Sequence, residues 1–256
     1  MPQASDARSS DLIEVFSALQ GEGLVVGLRQ LFIRFGHCDI KCAYCDTPLC
    51  HVDLPRARIE VEAGQRVFES WRNPVPWDDV FFAAQRLLDS GPRHASVSLT
   101  GGEPLLHSDA ILALAPRLRE LGLPIYLETN GHLSEAMAKV LPVVDQVAMD
   151  IKTPATTGFP ARFEDNRAFL ALLADRDVFV KIVVGEGMSD DELGAALDVV
   201  ADVASQTPVI LQPVTPHRGV GIPPTPLRLL EMHALAASRL PHVRVIPQTH
   251  KMTGQL

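Results

Sequence analysis

The sequence has few aromatic residues, no long apolar run and no excess of positive charge. Aromatic residues make up 5% of the chain, too few to favour the base-stacking platforms of single-strand binders. No stretch approaches the roughly 18 apolar residues of a membrane span, and residues 1–11 contain no apolar signal-peptide core. The net charge of −8 argues against general binding to nucleic acids or membrane surfaces. We therefore expect a cytoplasmic protein.

Cysteine is also scarce, and all four cysteines lie between positions 38 and 50. The pattern argues against a disulfide framework, because such frameworks belong to short, cysteine-dense secreted chains. Cys38, Cys42 and Cys45 follow the spacing C-x3-C-x2-C. Three thiolates on one tight loop can hold three corners of a cubane iron–sulfur cluster and leave one iron open. The spacing therefore favours a chemical site.

Two other uses of these cysteines stay open at this point. Structural zinc needs four closed ligands, and His37, His51 or Cys50 could complete such a set. Electron-transfer ferredoxins use other spacings together with a further cysteine, and the chain has no cysteine outside this segment. A structural zinc site would leave the polar motifs described below without a role.

Short apolar strands alternate with helices along the chain. Strands are predicted at 30–35, 95–99, 124–128, 146–151, 178–184, 209–211 and 243–246, and helices at 78–89, 111–121, from about 134, from Ser189 (a capping box with Glu192) and at 226–240. This pattern predicts an α/β fold with a mostly parallel sheet, a partial TIM-type barrel formed by one domain over 1–256. A doubly wound sheet is the alternative, but its G-x-G-x-x-G turn is missing. Residues 48–77 show no sustained period and are predicted to form an extended loop.

Polar motifs stand at the ends of the predicted strands. The cysteine loop follows the first, and the others are Thr100-Gly-Gly-Glu103, Glu128-Thr-Asn130, Asp150-Ile-Lys152 and Gln212–Thr215. In a barrel these ends share one rim, where the chemistry of such folds lies. We expect the motifs to converge there.

The cysteine motif followed by Thr100-Gly-Gly-Glu-Pro104 resembles the radical S-adenosylmethionine superfamily. A closer resemblance, to the 7-carboxy-7-deazaguanine synthase family, is carried by Glu14–Gly23, Arg34, Cys45-Asp-Thr47 and Gln248-Thr-His-Lys251. His37 and Asp39 depart from that pattern, since glycine and asparagine are more usual there. Neither change removes a cysteine.

The resemblance implies a specific reaction. One 4Fe-4S cluster would hold S-adenosylmethionine, and its reductive cleavage would give a 5′-deoxyadenosyl radical. That radical would take hydrogen from C6 of 6-carboxy-5,6,7,8-tetrahydropterin, whose ring would contract with loss of ammonia to 7-carboxy-7-deazaguanine, a precursor of 7-deazapurines such as queuosine. The resemblance also implies Mg2+, a flavodoxin- or ferredoxin-type reductant and a homodimer. Cofactors carry the hard chemistry in such enzymes, so no catalytic side chain is expected beyond the cofactor-derived radical.

Residue roles are carried over from the resemblance position by position. Cluster ligands are Cys38, Cys42 and Cys45, and the Mg2+ ligand is Thr47. Substrate contacts are Leu19, Gln20, Gly21, Glu22, Arg34, Thr100, His250 and the terminal carboxylate of Leu256. Contacts to S-adenosylmethionine are Tyr44, Asp46, Gly102, Glu103, Glu128, Asn130, Asp150, Ile151, Lys152, Gln212, Pro213, Val214 and Thr215.

Each role has a plainer alternative. Arg34 could form an internal salt bridge, Asp150 could cap a helix, and Gly101–Glu103 could be only a tight turn. Cys50 is interpreted as an incidental thiol. Two other functions also stay open: another small radical S-adenosylmethionine enzyme, such as a glycyl-radical activase, and a non-enzymatic zinc- or cluster-binding module.

Overall fold

The computed structural model describes residues 8–216 and 221–255. Its strands are β1 Ser9–Ser10, β2 Leu12–Leu19, β3 Arg29–Phe35, β4 Arg56–Glu60, β5 Phe68–Arg72, β6 Val75–Pro76, β7 Ser96–Gly101, β8 Ile125–Thr129, β9 Gln146–Ile151, β10 Asp177–Val184, β11 Val209–Pro213 and β12 Val243–Val245. Its α-helices are α1 Trp77–Asp89, α2 Ser108–Glu120, α3 Ser134–Val140, α4 Pro154–Thr157, α5 Phe163–Ala171, α6 Asp190–Ala204, α7 Pro226–Ala237 and α8 Thr249–Thr253.

Ten strands form one open sheet in the order β12-β11-β10-β9-β8-β7-β3-β2-β4-β5. The run from β12 to β3 is parallel throughout. β2 pairs antiparallel with β3, and β4 and β5 extend the sheet beyond it. The sheet has two edges and does not close on itself, so the predicted α/β partial barrel is confirmed.

The two faces of the sheet differ because side chains alternate along each strand. Leu99, Leu127 and Ile182 belong to the face packed against the helices, and all three are fully buried. Helix α2 contributes its apolar stripe of Ala110, Ile111, Leu114, Ala115 and Leu118. The opposite face carries a small apolar cluster of Tyr126, Ala148, Phe179 and Ile210. Polar side chains lie on this inner face nearer the strand ends, so the sheet itself separates core from site.

The capping box predicted for α6 is half formed. Ser189 Oγ accepts a hydrogen bond from Glu192 N at 3.2 Å, as an N-cap serine should. The carboxylate of Glu192 accepts instead from Ala155 N, at 2.7 Å. The cap therefore also ties α6 to helix α4, which follows β9.

The prediction of an extended loop over 48–77 is wrong. β4 and β5 form an antiparallel hairpin there, and β4 pairs with β2 through Glu14↔Arg58 and Val15↔Ile59. Ala57 and Ile59 are fully buried while Arg56 and Arg58 are exposed. This alternation spans only one short strand, and its pairing partner is distant in sequence, so the pattern is too weak to detect locally. Strand β2 was not predicted either, since it is buried on both faces and does not alternate.

Within 8–216 and 221–255, no helix is both long enough and apolar enough to cross a membrane.

Candidate active site

A cavity of about 350 Å³ opens at the carboxyl ends of the parallel strands, within the size range of small-molecule sites. The cysteine loop after β3, the Gly21 turn after β2, the ends of β7 to β11 and helix α8 surround it. Parallel strands bring their carboxyl ends to one rim, so motifs far apart in sequence meet here. The predicted convergence is confirmed for most of them.

The three motif cysteines all line this cavity and are partly exposed to it. Two backbone hydrogen bonds fix the loop. Cys45 N donates to Cys42 O at 3.1 Å and closes a turn, and Ala43 N donates to Thr157 O at 3.0 Å. A hydrogen bond from Cys50 lowers the pKa of Cys45 to about 6, whereas burial raises the pKa of Cys42 to about 11. Three cavity-facing sulfurs on one loop fit an iron–sulfur cluster with one iron open.

Cys50 is not incidental to this loop. It is 2% exposed, and its contacts with the sulfurs of Cys38 and Cys45, together with burial, raise its pKa well above the ordinary value of a thiol. Gly102 lies against it, because a Cβ at Gly102 would approach the Cβ of Cys50 to 2.9 Å. The cysteine loop and the Gly101-Gly102 turn are thus packed too closely for any side chain at position 102.

Glu103 supports the rim from behind the cavity and does not line it. Its carboxylate accepts hydrogen bonds from Leu105 N at 3.0 Å, Thr129 Oγ1 at 2.9 Å and Asn130 N at 2.8 Å. Complete burial raises its pKa to about 7, although these hydrogen bonds oppose the shift. The side chain therefore joins the end of β7 to the end of β8.

Three buried oxygen atoms among the residues lining the cavity have no hydrogen-bond partner among the described residues: Asn130 Oδ1, Asp150 Oδ1 and Gln212 Oε1. Buried polar atoms are normally satisfied, and each orphan here is an acceptor. A ligand with ammonium, hydroxyl or amine donors, such as S-adenosylmethionine, would complete them. Lys152 lies beside them, donating to Asp150 Oδ2 at 2.6 Å and to the Tyr44 hydroxyl at 2.9 Å.

A second polar network lines the other side of the cavity. Gln20 Nε2 donates to Glu128 Oε1 at 2.7 Å, and Thr100 Oγ1 donates to Glu128 Oε2 at 2.8 Å. Glu22 accepts from Lys181 and, at 2.7 Å, from Gln248. Burial alone would raise the pKa of Glu22, but the Lys181 ammonium and the Gln248 hydrogen bond lower it. This wall is therefore charged and held rigidly.

Arg34 has a protein partner, as its plainer alternative proposed. Its Nε donates to Glu14 Oε1 at 3.0 Å, and its Nη1 lies 3.4 Å from Thr47 Oγ1. One edge of the guanidinium is thus used by Glu14. Arg34 still lines the cavity, so the part of its guanidinium that Glu14 does not hold is available to a ligand there.

Asp46 points toward α8 and not toward the cysteines. Its carboxylate lies 3.0 Å from Lys251 Nζ and 3.8 Å from His250 Nε2, and Thr47 Oγ1 donates to it at 3.3 Å. Burial opposes ionisation, but His250, Lys251 and Arg34 hold the pKa of Asp46 well below its usual range. Carboxylate oxygens of Asp46 and Glu22 lie within 4.8 Å of each other and of a His250 nitrogen, so this corner has cation ligands.

Five predicted contacts lie outside the cavity lining: Glu103, Ile151, Pro213, Val214 and Thr215. Ile151 is 1% exposed and packs in the helix-side core, since it alternates with the cavity-facing Asp150. Leu256 lies outside the described residues. The cavity lining also includes charged and amide side chains to which the sequence assigned no site role, among them Glu14, Arg58, Lys181, Gln248 and Lys251. Lys181 had a signal, a lone lysine within an apolar strand; Arg58 had none.

Comparison with known proteins agrees with this geometry. Residues 32–200 match the model of the radical SAM superfamily. A 7-carboxy-7-deazaguanine synthase from Geobacter sulfurreducens is 45% identical over 248 residues, which cover 96% of this chain and 98% of the relative. One from Methanopyrus kandleri is 33% identical, covering 94% and 92%. The structure of QueE from Escherichia coli superposes with a TM-score of 0.63 at 21% identity, covering 94% of this chain and 95% of that chain.

The barrel and its cysteine-lined rim define a radical S-adenosylmethionine protein, a class that implies a 4Fe-4S cluster and S-adenosylmethionine. The identity over nearly the full length narrows this further. The chain belongs to the 7-carboxy-7-deazaguanine synthase family.

Proposed function

We propose that this protein converts 6-carboxy-5,6,7,8-tetrahydropterin to 7-carboxy-7-deazaguanine with loss of ammonia, as a radical S-adenosylmethionine lyase. The observation that carries the proposal is one cavity with two different walls. The cysteine loop and the three orphaned acceptors form one wall, and the network of Gln20, Glu22 and Arg34 forms the other.

Cys38, Cys42 and Cys45 would hold the cluster. Once reduced by one electron, the cluster together with S-adenosylmethionine would supply a 5′-deoxyadenosyl radical as the hydrogen acceptor. Asn130, Asp150 and Gln212 would bind and orient the donors of S-adenosylmethionine, with Tyr44 and Lys152 beside them. The ion pair between Lys152 and Asp150 keeps this carboxylate fixed. Orientation matters because the substrate carbon must face the radical at close range.

The substrate would lie against the second wall. Arg34 keeps free donors toward the cavity, and its planar fork suits a carboxylate. Gln20 and Glu22 present fixed donors and acceptors for a flat heterocycle. The imidazole of His250 and the Gly21 backbone would close the edge of this wall. The two are in close contact, because a Cβ added at Gly21 would lie 2.6 Å from His250 Cγ. A carboxylated pterin offers matching groups on every side.

Mg2+ is proposed at Thr47, where a hydroxyl, substrate oxygens and water form a suitable shell. The neighbouring Asp46 carboxylate, 3.3 Å from Thr47 Oγ1, supports a cation at this corner. A flavodoxin- or ferredoxin-type reductant, a homodimer and a role in queuosine or related 7-deazapurine synthesis are proposed from the family resemblance.

The test is turnover of the reconstituted protein. Incubation with 6-carboxytetrahydropterin, S-adenosylmethionine, Mg2+ and dithionite under anaerobic conditions should yield 7-carboxy-7-deazaguanine, detected by mass. Cleavage of S-adenosylmethionine without this product, but with radical formation on a glycyl protein, would favour an activase. No cleavage of S-adenosylmethionine by protein that has been freed of zinc and carries a complete, reduced cluster would overturn the enzyme proposal.

A further inference from the structure

Cys50 and His51 form a second group of metal-binding side chains that the proposed reaction does not use. Cys50 Sγ, Cys45 Sγ and an imidazole nitrogen of His51 all lie within 4.8 Å of one another. A short 3-10 helix from Pro48 to His51 contains Cys50 and His51 and brings them close to Cys45. Cys50 N donates to Thr47 O at 3.1 Å at its start. Three different donor atoms thus lie around one small volume.

The burial of these donors indicates a ligand. His51 Nε2 is a buried nitrogen with no hydrogen-bond partner among the described residues, and Cys50 is 2% exposed. The Cys38 thiol lies close enough to Cys50 for the two to shift each other's pKa, so a fourth soft donor adjoins the group. Three sulfurs and one imidazole are the donor set of a closed structural zinc site.

The spacing suits one metal ion better than a cluster. Donors around tetrahedral zinc are roughly 3.5–3.8 Å apart, from bond lengths of about 2.0–2.3 Å, so the observed group needs little contraction. The cysteines of a cubane bind three separate irons and must stay spread. The sulfurs of Cys38 and Cys42 are both outside the 4.8 Å group, so the group contains one proposed cluster ligand, Cys45, and two donors that the cluster does not use.

We propose that the cluster-free protein binds a single thiophilic cation of the Zn2+ class through Cys45, Cys50 and His51, with Cys38 adjacent. Cys45 serves both this site and the cluster, so the two are mutually exclusive. Zinc in this site protects the thiols from oxidation and holds the loop before the cluster is assembled. It also competes with cluster assembly. The proposal does not depend on which substrate the enzyme uses.

Cobalt(II) is the probe, added to the full-length, reduced, cluster-free protein under anaerobic conditions. We expect one Co2+ per chain, with visible bands of tetrahedral geometry and sulfur-to-cobalt charge transfer in the near ultraviolet, and displacement by Zn2+. Cys50→Ser and His51→Asn should each weaken Co2+ binding by about tenfold or more. Cys42→Ser should leave it within about threefold.

The same variants should behave in the opposite way toward the iron–sulfur cluster. Cys42→Ser should lose the cluster, whereas Cys50→Ser should take up as much iron and sulfide as the parent, which also shows that it folds. Prior loading with Zn2+ should slow cluster assembly in the parent and not in Cys50→Ser. Octahedral cobalt, or equal loss of cobalt binding in Cys42→Ser and Cys50→Ser, would overturn the proposal.

Discussion

At the scale of single residues, Arg34 shows how one side chain can satisfy two explanations. Its Nε donates a hydrogen bond to Glu14, yet Arg34 also lines the cavity. The internal partner removes the cost of holding a guanidinium in a partly buried strand. It also fixes the plane of the fork before any substrate arrives, which lowers the entropy that binding must overcome.

Replacing Arg34 should therefore harm substrate recognition without harming the cluster. We expect Arg34→Ala to lower kcat/KM for the carboxypterin by about 10- to 100-fold, the effect of losing one charge-assisted hydrogen bond of about 1.5–3 kcal/mol. Iron content and the cluster absorbance should stay at parental values. Steady-state kinetics with metal analysis measures both, and an unchanged KM would count against the carboxylate role.

Residue identity alone does not determine the direction in which Asp46 and Glu103 point. Both stand in motifs associated with S-adenosylmethionine, but Asp46 turns toward Lys251 and Glu103 turns into the protein. Sequence position shows that a polar residue is near the site. Which neighbour it contacts depends on helix α8 and strand β8, which are distant in sequence, so no local pattern contains that information.

At the scale of elements, the parallel βα units were predictable and the β4–β5 hairpin was not. Strands β8, β9 and β10 and helix α1 begin and end within about two residues of the predicted bounds. Their periodicity is complete within each segment, so local sequence suffices. The hairpin depends on β2, since its register is set by Glu14↔Arg58, and such pairing leaves no local signal.

The hairpin contributes Arg58 to the cavity. This side chain lies over the Phe68 ring at 4.2 Å and 3.7 Å from Glu14 Oε2. We expect Arg58→Ala to raise the KM for the carboxypterin by about twofold to fivefold, as for the loss of a partly exposed charge. Arg56→Ala is the matched control, because Arg56 donates to Ser70, outside the cavity lining. Equal kinetics for both variants would contradict a role for Arg58 in the site.

At the scale of the whole molecule, the barrel end opposite the cavity contains a buried histidine that affects stability. His94 is 2% exposed, and its Nε2 lies 2.8 Å from Ser17 Oγ. Burial, and then the positive charge of Arg29, lower its pKa to about 4. The folded protein therefore binds a proton at His94 more weakly than the unfolded chain does. In the unfolded chain this histidine has its ordinary pKa of about 6.5.

Stability should consequently fall as the pH drops from about 6.5 toward 4, by up to about 3 kcal/mol, and be unaffected by this group above 6.5. His94→Gln should flatten this part of the profile, whereas the exposed His242→Gln should not. Urea unfolding at several pH values, in the same metal state, measures the effect. If the parent and His94→Gln lose stability in parallel, another group is responsible.

The hydrogen bond from Gln248 to Glu22 joins residues 226 positions apart. Closing so long a loop costs conformational entropy that the neighbouring βα units do not face. The hydrogen bond from Ala43 N to Thr157 O that fixes the cysteine loop joins residues only 114 positions apart (157 − 43), so we expect this loop to form before the substrate wall. During that interval a folding chain can already bind metal but cannot yet recognise a substrate. The order of folding then sets the order of binding: the chain binds metal first and becomes able to bind substrate afterwards.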